Sequence, residues 1–249
     1  MAGRRCMKVQ GIIEHFSMLP IADFDQIAPG TSLILAPHSD DESLGCAGFI
    51  ATAVQHDRPP VVVIVSDSSA SHPGSHAWSP ERLAQCRQKE SRDALATFNL
   101  ATDRLLFLGL PDSAVPTSGV AFNHAIQQLC VLIGQHNCQN ILVPWRHDPH
   151  CDHLAVWQMG QQLKGLLPEL RILSYPVWGL TLPLDMDIEE TLPVGWRLNI
   201  QDFLSHKHNA IQAYKSQMGL VVEDDPNGFI LPEYLLEKIL QPYEIFITS

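Results

Sequence analysis

Short apolar runs recur along this chain, each closed by a proline or a polar turn, with longer stretches of helical spacing between them. The first run is Leu33-Ile34-Leu35-Ala36, bounded by Ser32 and Pro37. A half-exposed strand would alternate apolar and polar residues. A continuous run therefore predicts a strand covered on both faces, as in a parallel sheet. Residues 61–65 repeat the pattern with five β-branched side chains that suit a central strand. Residues 105–108 and 141–143 supply two more. Between the runs the spacing predicts helices over about 44–56, about 79–99 with Ser79 as cap and Pro80 in the first position, about 120–136, and from beyond His153 to about 165. Strands and helices alternating in this way predict an α/β fold, a Rossmann-like, doubly wound, mostly parallel sheet flanked by helices.

Outside this framework the pattern is weaker. Residues 1–29 read as a lead-in with an amphipathic segment near 12–18. Residues 171–173 lead into the aromatic Tyr175 and Trp178, 192–200 alternate enough for a further strand, and a helix is expected from Asp202 towards Ser216-Gln217. The tail offers a turn at 224–228 and a short strand at 244–247. Residues 1–249 are expected to form one domain, with 220–249 as an extension whose role is not legible.

Two strand ends carry the chemistry. Behind the first run stands His38-Ser39-Asp40-Asp41-Glu42, and behind 141–143 stands Trp145-Arg146-His147-Asp148-Pro149-His150-Cys151-Asp152-His153. An imidazole and three carboxylates within five positions need a positive charge among them if they are packed together. His38 and Asp41 are ordinary zinc ligands, and Asp40 is left free for proton transfer. The alternative is a solvated acidic turn that caps the next helix from Asp40 or Ser43. The second cluster shifts the balance towards metal. In a parallel sheet both strand ends emerge on one edge, where open α/β sheets bind ligands, and His153 would complete a His-Asp-His set with open positions.

Composition narrows the classes. The 249 residues carry 45% hydrophobic and 17% charged side chains, as in a globular protein, and a net charge of −11. That charge argues against nucleic acid or an anionic membrane as the main partner. No run approaches a membrane span, and behind the basic start Met1–Lys8 the residues Gln10, Glu14 and His15 interrupt any apolar core, so neither a transmembrane segment nor a signal peptide is expected. Six cysteines without a Cys-x-x-Cys pair read as reduced, mostly buried thiols of a cytoplasmic protein. Cys151 is the exception, either a reactive or metal-touching thiol or a spacer. The oligomeric state is not legible, which leaves a homo-oligomer open.

The Pro-His-x-Asp-Asp-Glu turn with its following Gly45-x-x-Gly48, and the later His-x-Asp-His at 150–153, resemble the zinc-dependent de-N-acetylases of the PIG-L/LmbE-like family. The resemblance spans about 29–219. It implies His38, Asp41 and His153 as metal ligands, Asp40 as general base, and His150 as the oxyanion-stabilising group, oriented and favoured in its charged form by Asp152. It also implies substrate-binding roles for Arg87, in Arg87-x-x-Glu90, and for Asp112, and a pocket wall near Lys215-Ser216-Gln217. Ser39 departs from the proline found in many members. The implied reaction is hydrolysis of the N-acetyl group of an N-acetylglucosamine-type sugar or conjugate, with Zn2+ or Fe2+ as cofactor. Two other readings stay open: an amidase for a larger acyl or thiol-conjugate amide, and a non-catalytic Rossmann-like sugar- or nucleotide-binding module. The second lacks a Gly-x-Gly-x-x-Gly behind the first strand. The loop 66–78 reads equally as a substrate lid or as a surface linker.

Overall fold

The computed structural model describes residues 5–248; residues 1–4, on which part of the amino-terminal reading rests, and residue 249 lie outside the described residues. In chain order the elements are β1 (Arg5–Lys8), α1 (Val9–Met18), α2 (Phe24–Ile27), β2 (Thr31–Ala36), α3 (Asp41–Gln55), β3 (Val61–Ser66), α4 (Pro80–Ala96), β4 (Leu105–Leu110), α5 (Gly119–Gln135), β5 (Cys138–Pro144), α6 (Cys151–Leu166), β6 (Arg171–Tyr175), β7 (Asp187–Glu190), β8 (Gly195–Asn199), α7 (Leu204–Gln212), α8 (Glu233–Ile239) and β9 (Tyr243–Thr248).

Seven strands form one sheet in the order β4-β3-β2-β5-β6-β9-β8. The first five are parallel, and β9 runs antiparallel to both β6 and β8. The sheet is doubly wound because alternate residues of each buried strand serve opposite faces. Ile34 and Ala36 pack with α3, α4 and α7, whereas Leu33 and Leu35 pack with α5 and α6. The chain builds outward from β2 through β3 to β4, then returns to lay β5 on the other side of β2. The sheet therefore has its switch point between β2 and β5, the crevice where α/β sheets place ligands.

Gly45 and Gly48 let α3 lie close to its neighbours. A Cβ on Gly45 would enter the Tyr175 ring, and one on Gly48 would strike Ile200. On the side of the core occupied by α3, Glu244 of β9 accepts the backbone N–H groups of Gly48 and Phe49 at 2.8 Å each and pairs with Lys207 at 2.9 Å.

Three departures from the sequence reading have clear causes. The helix expected from Leu44 begins at Asp41, so Asp41 and Glu42 lie in its first turn. The helix expected to reach Gln217 stops at Gln212, and 213–219 form turns around buried Ser216 and Gln217. Inside the lead-in, β1 pairs with β7, and both are short and charged, so no apolar run announced them. Among the described residues no helix is long and apolar enough to cross a membrane.

Candidate active site

The loops behind β2 and β5 meet at the switch point, and α3 and α6 begin in those loops. Asp40 is the residue before α3. Its backbone adopts φ 136° and ψ −31°, a conformation that costs a non-glycine residue roughly 1–3 kcal/mol and persists only where surroundings enforce it. The enforcement is visible. The Asp40 N–H donates to Glu42 Oε2 at 3.2 Å, and the buried Glu42 carboxylate also receives the hydroxyls of Ser43 and Tyr214. The Arg87 guanidinium, 3% exposed, donates to the Ser39 carbonyl and stands 3.1 Å from Asp40 Oδ2. Burial pushes the Asp40 carboxyl up to about 7, against the pull of Arg87 and with the repulsion of Asp41. A carboxylate so placed is matched to proton transfer near neutrality.

His38, Asp41 and His153 each bring a ligand atom into one group within 4.8 Å, and His38, His150 and Asp152 form a second such group. His38 Nδ1 is 3.2 Å from Asp41 Oδ2, and His153 Nε2 is 3.1 Å from the same oxygen. His153 Nε2 is fully buried, and its approach to Asp41 Oδ2 lacks the angle of a hydrogen bond. Its other nitrogen, Nδ1, is 2.9 Å from Asp148 Oδ2. His38 Nε2 likewise faces carboxylates, Asp152 at 3.1 Å and Asp112 at 3.2 Å. Each histidine thus has one nitrogen against a carboxylate and the other turned towards Asp41, the arrangement that fixes metal-binding imidazoles. Burial alone would raise the Asp41 carboxyl, but His153 and His38 hold it far below the carboxylate range; burial would lower His153, but Asp41 and Asp148 push it up to about 9. The site favours positive charge, and the first group fits a divalent cation.

Asp152 differs from expectation in its partners. Its carboxylate accepts the N–H groups of Ser113 at 2.7 Å and Val115 at 3.0 Å and faces His38. Its backbone N–H donates to His150 Nδ1 at 3.2 Å. Burial first, then the neighbouring His38 and His153, lower the His150 pKa against the pull of Asp152 and Asp41. In this geometry His150 Nδ1 is an acceptor, which leaves Nε2 as the nitrogen facing away from the Asp152 N–H. Asp112 also holds Ala70 N–H at 2.8 Å, so it ties the loop after β3 to the turn that carries His38. Where a proline would have no N–H, Ser39 donates its own to Ser68 Oγ at 2.9 Å.

His38, Asp40, Asp41, Arg87, Asp112 and His150 floor a cavity of about 180 Å3, walled by Ser71, Trp178, Gln217 and Phe229. Trp178 meets Phe229 edge to face at 5.7 Å, whereas Tyr175 is wholly buried with its hydroxyl on the Leu35 carbonyl. The loop 66–78 forms a wall pinned to the carboxyl-terminal segment: Asp225 accepts Gly74 N–H, Asp224 accepts the N–H groups of His76 and Ala77, and Phe229 N–H donates to the Ser71 carbonyl. The cysteines are unpaired, but only Cys46 and Cys138 are buried. Cys151 is exposed, with its thiol raised by burial and by Asp152, and it joins neither ligand group.

Sequence reading missed Asp148, which is 3% exposed and accepts the N–H groups of Val177, Trp178 and Gly179 besides facing His153. Its position two residues before His150, in a loop with three histidines, was the available signal. Phe229, Ser68 and Glu244 carried none.

The fold is shared with solved structures of low identity. N,N'-diacetylchitobiose deacetylase from Pyrococcus horikoshii is 16% identical with a TM-score of 0.64, the match covering 96% of this chain and 88% of that one. A zinc-inhibited form of teicoplanin deacetylase is 16% identical with a TM-score of 0.62, covering 87% and 97%. A 4-carboxy-2-hydroxymuconate hydratase from Pseudomonas putida is 16% identical with a TM-score of 0.59, covering 77% and 81%. A family model, PIG-L: GlcNAc-PI de-N-acetylase, matches residues 33–164. That match runs from inside β2 to the last turn of α6, takes in both strand-end clusters and spans more than half of the sequence, so the chain belongs to the PIG-L family.

Proposed function

We propose that this chain is a metal-dependent hydrolase that removes the N-acetyl group from an N-acetylglucosamine-type sugar or conjugate. One observation carries the reading: a His38/Asp41/His153 set lies beside a separate carboxylate, Asp40, poised near neutrality, and His38, Asp40 and Asp41 lie on the floor of one small cavity. The family description and the names of two structural neighbours support it.

His38, Asp41 and His153 would hold the cation, zinc or iron(II), since two histidines and a carboxylate suit both. When bound, such an ion polarises the amide carbonyl and acidifies water. Asp40 takes the proton of the attacking water on its carboxylate and returns it to the amine as the C–N bond breaks, so acetate and a free amino sugar leave. His150, with Nδ1 held by the Asp152 N–H, donates from Nε2 to the developing oxyanion. Arg87 holds Asp40 in place and, with Asp112, borders the sugar. The Trp178–Phe229 pair offers an apolar face for the ring.

The test is metal analysis of protein purified without added metal, paired with acetate release from N-acetylglucosamine and its conjugates. About one metal per chain and acetate production are expected. Metal-loaded protein that releases no acetate from any of these substrates would overturn the reading.

A further inference from the structure

We infer that the chain holds a second binding site, apart from the catalytic cavity, which takes a small amphipathic anion: one negatively charged head on a short apolar tail. Its place is a cavity of about 320 Å3 bordered by α1, the first turns of α3, the segment after β6, and β8, α7, α8 and β9. It is larger than the catalytic cavity and shares none of its lining residues. Its size falls among cavities that hold small ligands, roughly 300–1,000 Å3.

The walls set the tail. Ile13 and Phe16 of α1, Leu44 of α3, Leu180, Ile239 of α8 and Ile245 of β9 line the cavity with carbon. Such walls gain free energy by covering an apolar body and give nothing to a sugar's hydroxyls.

The charges set the head. Arg197, Lys207 and Lys238 line the same cavity together with one carboxylate, Glu244. That carboxylate is already satisfied: Oε1 accepts the Gly48 N–H at 2.8 Å and Lys207 Nζ at 2.9 Å, and Oε2 accepts the Phe49 N–H at 2.8 Å. The cations are not. The Lys207 ammonium, on a side chain 2% exposed, carries three protons and has Glu244 as its one acceptor among the described residues. Arg197 is fixed by its Nε, which donates to the Leu19 carbonyl at 2.7 Å, and by the Tyr243 ring 4.8 Å from its guanidinium carbon. Its two terminal nitrogens have no protein partner among the described residues. Lys238 is exposed and makes no ion pair there. In a chain of net charge −11 this cavity therefore carries an excess of positive charge, which an anion neutralises and a cation would increase. Apolar walls with a few unused donors among them suit a ligand charged at one end.

The probe is octanoate, titrated into the full chain by calorimetry beside octylamine, which has the same tail and the opposite charge. Acetate is present in excess throughout, so that a carboxylate bound in the catalytic cavity does not register. One saturable octanoate site is expected, and no saturation by octylamine. Lys238→Glu, which reverses a charge at the proposed site, is expected to weaken octanoate by about tenfold or more. Should Lys238→Glu alter the circular dichroism spectrum, Ser17→Trp, which adds bulk at an exposed lining position, is read in its place. No saturable octanoate binding, equal binding of octylamine, or a folded variant that binds octanoate as tightly as wild type overturns the inference. Because binding is read without turnover, its failure is separate from any failure of the hydrolase reading.

Discussion

Asp148 Oδ2 stands 2.9 Å from His153 Nδ1 and 3.1 Å from the backbone nitrogens of Val177 and Trp178. One buried carboxylate thus sets the orientation of a proposed metal ligand and the position of the cavity wall that carries Trp178. Replacing it by alanine removes the acceptor from His153 and from three backbone N–H groups at once. Asp148→Ala is expected to weaken metal binding by about 10–100-fold. Equilibrium dialysis against a zinc indicator measures this without reference to activity.

Asp40 and Arg87 are expected to separate from the ligands in their effect. Asp40→Asn keeps the metal set intact and should retain bound metal while losing about 10²–10⁴-fold in turnover. His153→Ala should lose metal as well. Metal content beside kcat for the two variants decides the point, and retention of metal by both would contradict the division of roles. Arg87→Lys, which loses the guanidinium fork that joins the Ser39 carbonyl to Asp40, is expected to lower kcat more than it raises KM.

The Lys207–Glu244 pair is buried, with each side chain 2% exposed. Removing one partner leaves an uncompensated charge, so Lys207→Met is expected to destabilise the fold by about 3–5 kcal/mol. Lys207→Met combined with Glu244→Gln should recover part of that loss. Denaturant unfolding of both variants measures it.

Gly45 is held to glycine by the ring of Tyr175, which is itself anchored to the Leu35 carbonyl at 2.7 Å and cannot swing away. Gly45→Ala is expected to cost about 1–3 kcal/mol through overpacking. Thermal unfolding checks it, with Gly134→Ala, where a Cβ meets nothing and alanine suits the helix better, as a comparison expected to be stabilising by up to about 1 kcal/mol.

Asp224 gives a pH dependence. The Ser75 hydroxyl, then the Ala77 and His76 N–H groups, bring its carboxyl down to about 2. A depressed carboxyl contributes above its ordinary range and is lost as protons bind, so this tether is complete above about pH 4 and released as pH falls towards 2. Faster amide exchange at His76 and Ala77 over that interval, after correction for the intrinsic rate, is the expected result.

Legibility followed the physics of each signal. Four parallel core strands could be read because a strand buried on both faces must be apolar throughout, and the metal-ligand candidates because His and Asp seldom crowd a strand end without a charge to share. The antiparallel ribbon of β1 and β7, the helix α8 and the wall residue Phe229 left no mark, because exposed ribbons and short helices carry little periodicity. The partners of Asp152 were not legible, because spacing places a carboxylate near an imidazole without saying which atom faces it; the Ser113 and Val115 N–H groups, from the loop after β4, meet that carboxylate.

By itself the sequence determined the α/β alternation, the two clusters and their order, since hydrophobic periodicity and residue type are local. The tertiary structure decided what the clusters become. The crossing of the chain over β2 brings His38 and His153 to one crevice, burial moves Asp40 towards neutrality, and Asp41, distant along the chain, comes to face His153. Those outcomes depend on distances and desolvation among residues far apart in sequence, which no single stretch of it encodes.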